Sequence, residues 1–167
     1  ENPCDGIEPY SEAEKPIDHL EPDEAEDVKT GCIRKRDRAI IEFMRCTAMR
    51  RGEVPQVKIK DIDFGTGKIL IYGHKGNKYR TVYLDKIALK YIKEYIQERN
   101  ESYDSNAPLF ATLHGDKGLS AEGLYSAIKA IGRRSQCQHN IYPHLFRKTC
   151  ATTIVKRGGS DDMAGGY

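Results

Sequence analysis

Between Arg36 and Thr47, the residues Ala39, Ile40, Phe43, Met44 and Thr47 recur at the i, i+3, i+4, i+7 spacing of one helix face. The same period returns over 85–100. There Ala88, Tyr91, Ile92, Tyr95 and Ile96 line one side, and lysines and glutamates cover the other. Ser120 is suited to cap a further helix to about Arg134, with Leu124, Ala127, Ile128 and Ile131 inward. Another is expected from Pro143 to about Arg157, packing through Phe146, Cys150, Ala151 and Ile154. A short acidic helix is expected in "LEPDEAEDV" (20–28), with proline near its first turn and carboxylates where the helix dipole favours them. Elsewhere the pattern changes. Gly52 and Pro55 end any long helix, and "KDIDFGTGKILIY" gives a turn at Gly65–Gly67 and a strand at about 68–72. "YRTVYL" gives a second strand at about 79–84, joined to the first by "GHKGNK", whose glycines open conformations closed to other residues. "SNAPLFATLHGDKG" reads as a loop with a short apolar insert. The predicted fold is mainly α with one small antiparallel β-hairpin, an α+β class.

Composition narrows the setting. The 167 residues suit one domain with a real core. No apolar run approaches the roughly 18 residues of a membrane helix, and the N-terminus lacks a signal pattern, so a cytoplasmic protein without membrane partners is expected. Residues 1–16 carry Pro3, Gly6, Pro9 and Pro16 and read as an interdomain linker or extended arm, leaving 17–167 as the folded domain. The five cysteines are odd in number and scattered, with no C-x-x-C. Reduced thiols are expected, with Cys46 and Cys150 half-buried. Cys137 and His139 lack partners at metal-ligand spacing, and no metal site is expected.

The net charge of +2 conceals an asymmetry. Residues 1–27 hold eleven acids and one lysine, a balance of −10, so residues 28–167 carry +12. Lysines and arginines at that density suit a polyanion, and affinity for one would fall steeply with salt.

A few residues combine chemistry with an awkward setting. Arg50 lies where a good helix breaks off, with Glu53 three positions on. Lys75 sits in the hairpin loop, and His144 and Arg147 share a helix face. Each has a plainer alternative: a surface arginine, a loop lysine, an arginine capping a neighbouring helix, a histidine bonding a carbonyl. Together they form an inventory for stabilising a phosphoryl transition state without metal. Arginine forks match phosphate oxygens, and lysine and histidine move protons.

The sequence resembles the catalytic domain of the tyrosine recombinases, the phage-integrase and Xer-type enzymes, over about residues 17–167. "RDRAIIEFMRCTAMRRGEV" is similar to the family's first-arginine box, usually T-G-[LM]-R-x-x-E. "KDIDFGTGKILIYGHKGNKYRTVYL" is similar to its lysine-bearing hairpin, and "YPHLFRKTCATTIVKRGG" to its H-x-x-R-H-[ST]-x-A-[ST] box. The resemblance implies that Arg50 and Arg147 clamp the scissile phosphate of double-stranded DNA. It implies that Lys75 protonates the leaving 5′ oxygen, His144 assists the nucleophile and Glu53 buttresses the site. Lys78 is the fallback lysine, because His74 lengthens the hairpin tip by one residue. The implied reaction passes through a 3′-phosphotyrosine, needs no cofactor or metal, and runs in a tetramer assembled on DNA. An integrase of a mobile element is the expected bearer.

Ala48 stands where the family usually has glycine, and Lys148 where histidine is common. The family's nucleophilic tyrosine follows the second arginine by about a dozen residues more than Tyr167 does. The nucleophile is therefore expected to be absent from these residues, and the fragment to be inactive in cleavage. Two alternatives stay open: a non-catalytic DNA-binding remnant of a recombinase, and a type IB topoisomerase-like enzyme. Arg50 and Arg147 are expected to matter for cleavage and little for stability.

Overall fold

The computed structural model describes residues 16–73, 78–99, 105–115 and 117–158. Helix α1 spans Pro22–Lys29 and α2 Lys35–Thr47. Two 3-10 turns follow at Val54–Gln56 and Ile59–Asp61, then strands β1 (Lys68–Gly73) and β2 (Lys78–Tyr83). Helices α3 (Lys86–Glu98), α4 (Ala121–Arg134) and α5 (Pro143–Lys156) complete the order. Ser120 caps α4 as its sequence position implies, its Oγ accepting the Gly123 N–H at 3.0 Å. The segment before residue 16, where the linker was placed, and Cys4 lie outside the described residues. Among the described residues no helix is long and apolar enough to cross a membrane.

Helix α2 is the centre of the fold and packs against α3, α4 and α5. Ala39, Ile40, Phe43 and Met44 are fully buried on it, and so is Glu42. A carboxylate taken out of water needs close partners. Arg38 Nε and Arg45 Nε supply them at 2.9 and 2.7 Å, with Lys29 Nζ at 3.7 Å. Arg45 also reaches Asp85 at 2.6 Å, and Asp85 caps α3 by accepting the Ala88 N–H at 2.8 Å. The charges on α2 thus fix the start of the helix packed beside it.

The antiparallel hairpin pairs Ile69 with Val82, Ile71 with Arg80 and Tyr72 with Tyr79. Ile69, Ile71 and Val82 point into the core, while Leu70, Tyr72, Tyr79 and Tyr83 point out. Its base closes at Gly67, whose φ is +78° and where a Cβ would lie 2.3 Å from the Leu84 carbonyl oxygen. Only glycine lets Leu84 N–H reach the Gly67 carbonyl at 2.8 Å.

Some inward positions differ from those the periodicity predicts. Tyr91 is half-buried, with the Arg38 guanidinium 4.5 Å over its ring. An amphipathic ring beside a charged neighbour is accommodated at the rim of a core. On α5 the buried residues are Pro143, Leu145 and Phe146, whereas Cys150, Ala151 and Ile154 are half-buried. Only the first turn of α5 enters the core, so a full-length apolar face is not required. The insert of the 105–119 loop runs deeper than a surface loop. Leu109 donates its N–H to the Val57 carbonyl at 2.9 Å, and Phe110 meets the Phe43 ring edge-on at 5.4 Å. Cys32, Cys46, Cys137 and Cys150 are free, and Cys46 and Cys150 are half-buried as expected.

The segment preceding α1 is tied to the loop before α5 by His139. Its Nδ1 lies 2.9 Å from Glu24 Oε1 and its Nε2 2.9 Å from Asp18 Oδ1. Ionised carboxylates only accept, so both ring nitrogens donate and the imidazole is held charged. Glu24, then Asp18, raises its pKa above the usual value against the opposing effect of burial. Asp18 is lowered chiefly by the Tyr142 hydroxyl, and Glu24 by the Glu21 backbone N–H. The histidine's contribution is complete below its unfolded pKa of about 6.5 and is lost as pH rises through the higher folded value. The carboxylates' contribution is present above about pH 4 and lost as pH falls through their lowered values. His139→Gln is therefore expected to lower the melting temperature more at roughly pH 6 than at roughly pH 8.5. Equal losses at both pH values, measured by calorimetry, would show that the latch is not charged.

Candidate active site: an arginine cluster around one carboxylate

Helix α2 stops at Ala48, a left-handed residue (φ 46°, ψ 32°) whose N–H returns to the Met44 carbonyl at 3.0 Å. An L-residue there costs roughly 1 kcal/mol, which surrounding structure must offset. The turn brings Arg50 and Glu53 out beneath the hairpin. Glu53, only 6% exposed, accepts the Arg50 backbone N–H on Oε2 at 2.9 Å and faces Arg50 Nη1 with Oε1 at 3.3 Å. The Arg50 guanidinium itself remains about half exposed. From β2, Arg80 Nη2 meets Glu53 Oε2 at 2.7 Å. From the first turns of α5, Arg147 Nη1 donates to the Ala48 carbonyl at 2.6 Å.

Arg147 therefore caps the C-terminus of α2, satisfying a carbonyl that a helix end leaves without an intrahelical partner. The plainer reading of that arginine, a cap on a neighbouring helix, is true of its structure. It also stands in a positive field. Burial, then Arg50 and Arg80, push its pKa down, against the opposing effects of Glu53 and Cys150. One carboxylate set against Arg50, Arg80 and Arg147 leaves the cluster short of negative charge. An anion with several acceptor oxygens fits such a place.

His144 is exposed one turn before Arg147, and its pKa is lowered by partial burial, then by Arg147 and Lys148. At neutral pH the imidazole is thus neutral and able to accept a proton. His144 and Arg147 line a groove of about 560 Å³ together with Ile17, Lys148 and Val155. The structure accordingly brings Arg50, Glu53, Arg147 and His144 to one region. Lys75 lies outside the described residues, as does Tyr167. Lys78 opens β2 with its side chain exposed. Arg80 was missed by the sequence reading. Its signal was the strand alternation: Val82 is inward, so the residue two before it shares that face.

Residues 19–164 match the phage integrase family, and the chain belongs to that family. It is 33% identical over 126 residues to the tyrosine recombinase XerC of Lactobacillus delbrueckii subsp. bulgaricus, covering 74% of this chain and 42% of the relative. The tyrosine recombinase XerD of Staphylococcus haemolyticus is 32% identical over 126 residues, with the same coverage of 74% and 42%. The chain thus spans 42% of the length of these relatives. Among solved structures, the XerA recombinase superposes with a TM-score of 0.75 at 26% identity, over 85% of this chain and 52% of that one. XerH bound to its difH substrate in a pre-cleavage complex gives 0.68 at 28% identity, over 84% and 43%. The Tn1549 transposon integrase with transposon right-end DNA shares the fold, with a TM-score of 0.69 at 18% identity over 92% and 58%. The mostly helical fold with its two-stranded sheet is that of the tyrosine recombinase catalytic domain.

Two consequences of the geometry can be measured. Ala48→Gly should stay within about 1 kcal/mol of the parent, because relief of backbone strain offsets the lost methyl and the added chain entropy. Ala48→Val should lose roughly 2 kcal/mol or more in urea denaturation, because a β-branched residue is disfavoured in the left-handed region. Equal stability of the two variants would mean that the turn tolerates any residue. The His144 pKa, followed by proton NMR, is expected below about 6.5 and should rise toward that value in Arg147→Met. No rise would remove Arg147 as a cause of the shift.

Proposed function

We propose that this chain is the catalytic domain of a site-specific tyrosine recombinase, in particular the integrase of a mobile genetic element. The observation that carries the reading is the cluster of Arg50, Arg80 and Arg147 around the single carboxylate of Glu53. Such a cluster is incomplete without an anion, and a phosphodiester of double-stranded DNA supplies one. Arg50 and Arg147 hold its non-bridging oxygens and stabilise the charge that grows on them as phosphorus becomes five-coordinate. Glu53 fixes Arg50. Neutral His144 takes up the proton of an attacking tyrosine hydroxyl, and Lys75, or Lys78 in its place, gives a proton to the departing 5′ oxygen. The P–O5′ bond breaks as the tyrosine–phosphorus bond forms. A 5′-hydroxyl of another strand reverses these steps, and the covalent link conserves the bond energy, so no cofactor is consumed.

In this reading the nucleophile is not among the 167 residues, and polypeptide following Tyr167 in the natural protein supplies it. Exchange of strands between two duplexes calls for several copies, and a tetramer on DNA is the proposed working form. The first step is to read the codons after Tyr167 for a tyrosine at the family spacing. The natural protein is then incubated with nicked duplex carrying its recombination site, and detergent-resistant protein–DNA adducts are counted. Arg50→Ala should abolish adducts with little change in melting temperature. Arg147→Ala should abolish them and also lose roughly 1 kcal/mol of stability, because the Ala48 carbonyl loses its donor. Persistent DNA binding without an adduct would favour a non-catalytic remnant, and site-independent relaxation of supercoils would favour a topoisomerase-like enzyme. Mapping whether strand exchange inserts a mobile segment tests the integrase assignment.

A further inference from the structure

Arg80 takes no step in the scheme above, yet its setting is not readily explained by packing. It lies opposite Ile71 on the inward face of the hairpin, with a side chain 22% exposed. Its Nε is buried without a hydrogen-bond partner among the described residues. A buried donor left unsatisfied costs about 1–3 kcal/mol, so a purely structural arginine at this position would be a poor choice.

We propose that Arg80 is a positioning residue that divides the charge of Glu53, and so keeps the Arg50 guanidinium only partly neutralised and free to face a phosphate. This rests on the reading of the cluster as a phosphate site. Glu53 Oε2 accepts both the Arg50 backbone N–H at 2.9 Å and Arg80 Nη2 at 2.7 Å. Only Oε1 is left for the Arg50 guanidinium, at the longer distance of 3.3 Å. Without Arg80 the carboxylate is free to rotate and take Arg50 in a two-pronged pair, the geometry that guanidinium and carboxylate prefer. That pair would occupy the face of Arg50 that a phosphate needs. Arg80 also joins the hairpin to the end of α2 through the same carboxylate, so the positions of the two elements are coupled at the site.

The test is a double-mutant cycle on this chain, read as the dissociation constant of inorganic phosphate by NMR titration at fixed ionic strength. Arg80→Met should weaken phosphate binding roughly tenfold in the parent background and less than about threefold in Glu53→Gln, because the effect passes through the carboxylate. Arg80→Lys, which keeps a charged donor for Glu53, should remain within about threefold of the parent. Equal losses from Arg80→Met in both backgrounds would overturn the proposal, since they would mean that Arg80 acts by charge or direct contact alone. No loss in the parent background would overturn it as well. Arg50→Ala is the control for the underlying reading. If it leaves phosphate affinity unchanged, or the parent shows no saturable response, the phosphate site falls and Arg80's role with it. If Arg50→Ala removes binding while Arg80→Met does nothing, only the positioning role falls. Should Arg80→Met fail to fold, Arg80→Gln, which keeps a neutral donor, goes through the same cycle with the same criteria.

Discussion

The last carbonyls of an α-helix have no partner within the helix, and the way α2 meets that constraint organises the site. Its chain leaves through a left-handed Ala48, and the Ala48 carbonyl is taken by Arg147 from a helix nearly a hundred residues later. The bond joins the end of the central helix to the start of α5, where Leu145 and Phe146 are buried. The same turn aims Arg50 and Glu53 toward β2. Were α2 to run one turn further, Arg50 would follow the helix surface and Glu53 would lose the backbone N–H that it accepts. Helix termination, interelement docking and placement of the charged side chains therefore depend on one backbone conformation.

Electrostatics distinguishes the cluster around Glu53 from a purely structural network. Around Glu42 several cations also meet a fully buried carboxylate, yet Arg45 is shared with Asp85, so further negative charge is at hand. Around Glu53 no second carboxylate is paired with the arginines among the described residues, and burial, then Arg50 and Arg80, disfavours the charged form of Arg147. Both arrangements offset desolvation, but only the second leaves positive charge unspent. That difference separates a brace from a binding surface, and it would not emerge from counting arginines.

Much of this was legible in the sequence. The helix period located α2, α3, α4 and α5 to within a residue or two at most ends, because long amphipathic segments have few alternatives. The ordered resemblance of three segments picked out Arg50, Glu53, His144 and Arg147, which the fold brings to one region. Arg80 escaped because it lies in a short strand where one arginine looks like any exposed polar residue until the inward register is known. The capping role of Arg147 is invisible locally, since its acceptor lies on another element. Tyr91 and the later face of α5 were assigned to the core by period alone, which cannot report how far a partner helix extends. Ala48 was visible as a departure from the usual glycine, but only the φ of 46° shows that the position still adopts the conformation glycine would favour.

The hydrophobic core and the charged site make opposite demands, and the chain separates them in space. Ile69, Ile71 and Val82 anchor the hairpin by burial, which does not depend on charge pairing. Arg80 emerges from that same face only at the strand's outer part, where it meets a carboxylate already fixed by the Arg50 backbone. The hairpin is therefore held by its buried face as well as by the Arg80–Glu53 pair. A site built on mobile surface lysines would need to order its charges on every encounter, at a cost in side-chain entropy. Here much of the ordering is done by folding, since Glu53 holds Arg50 and Arg80 and the Ala48 carbonyl holds Arg147.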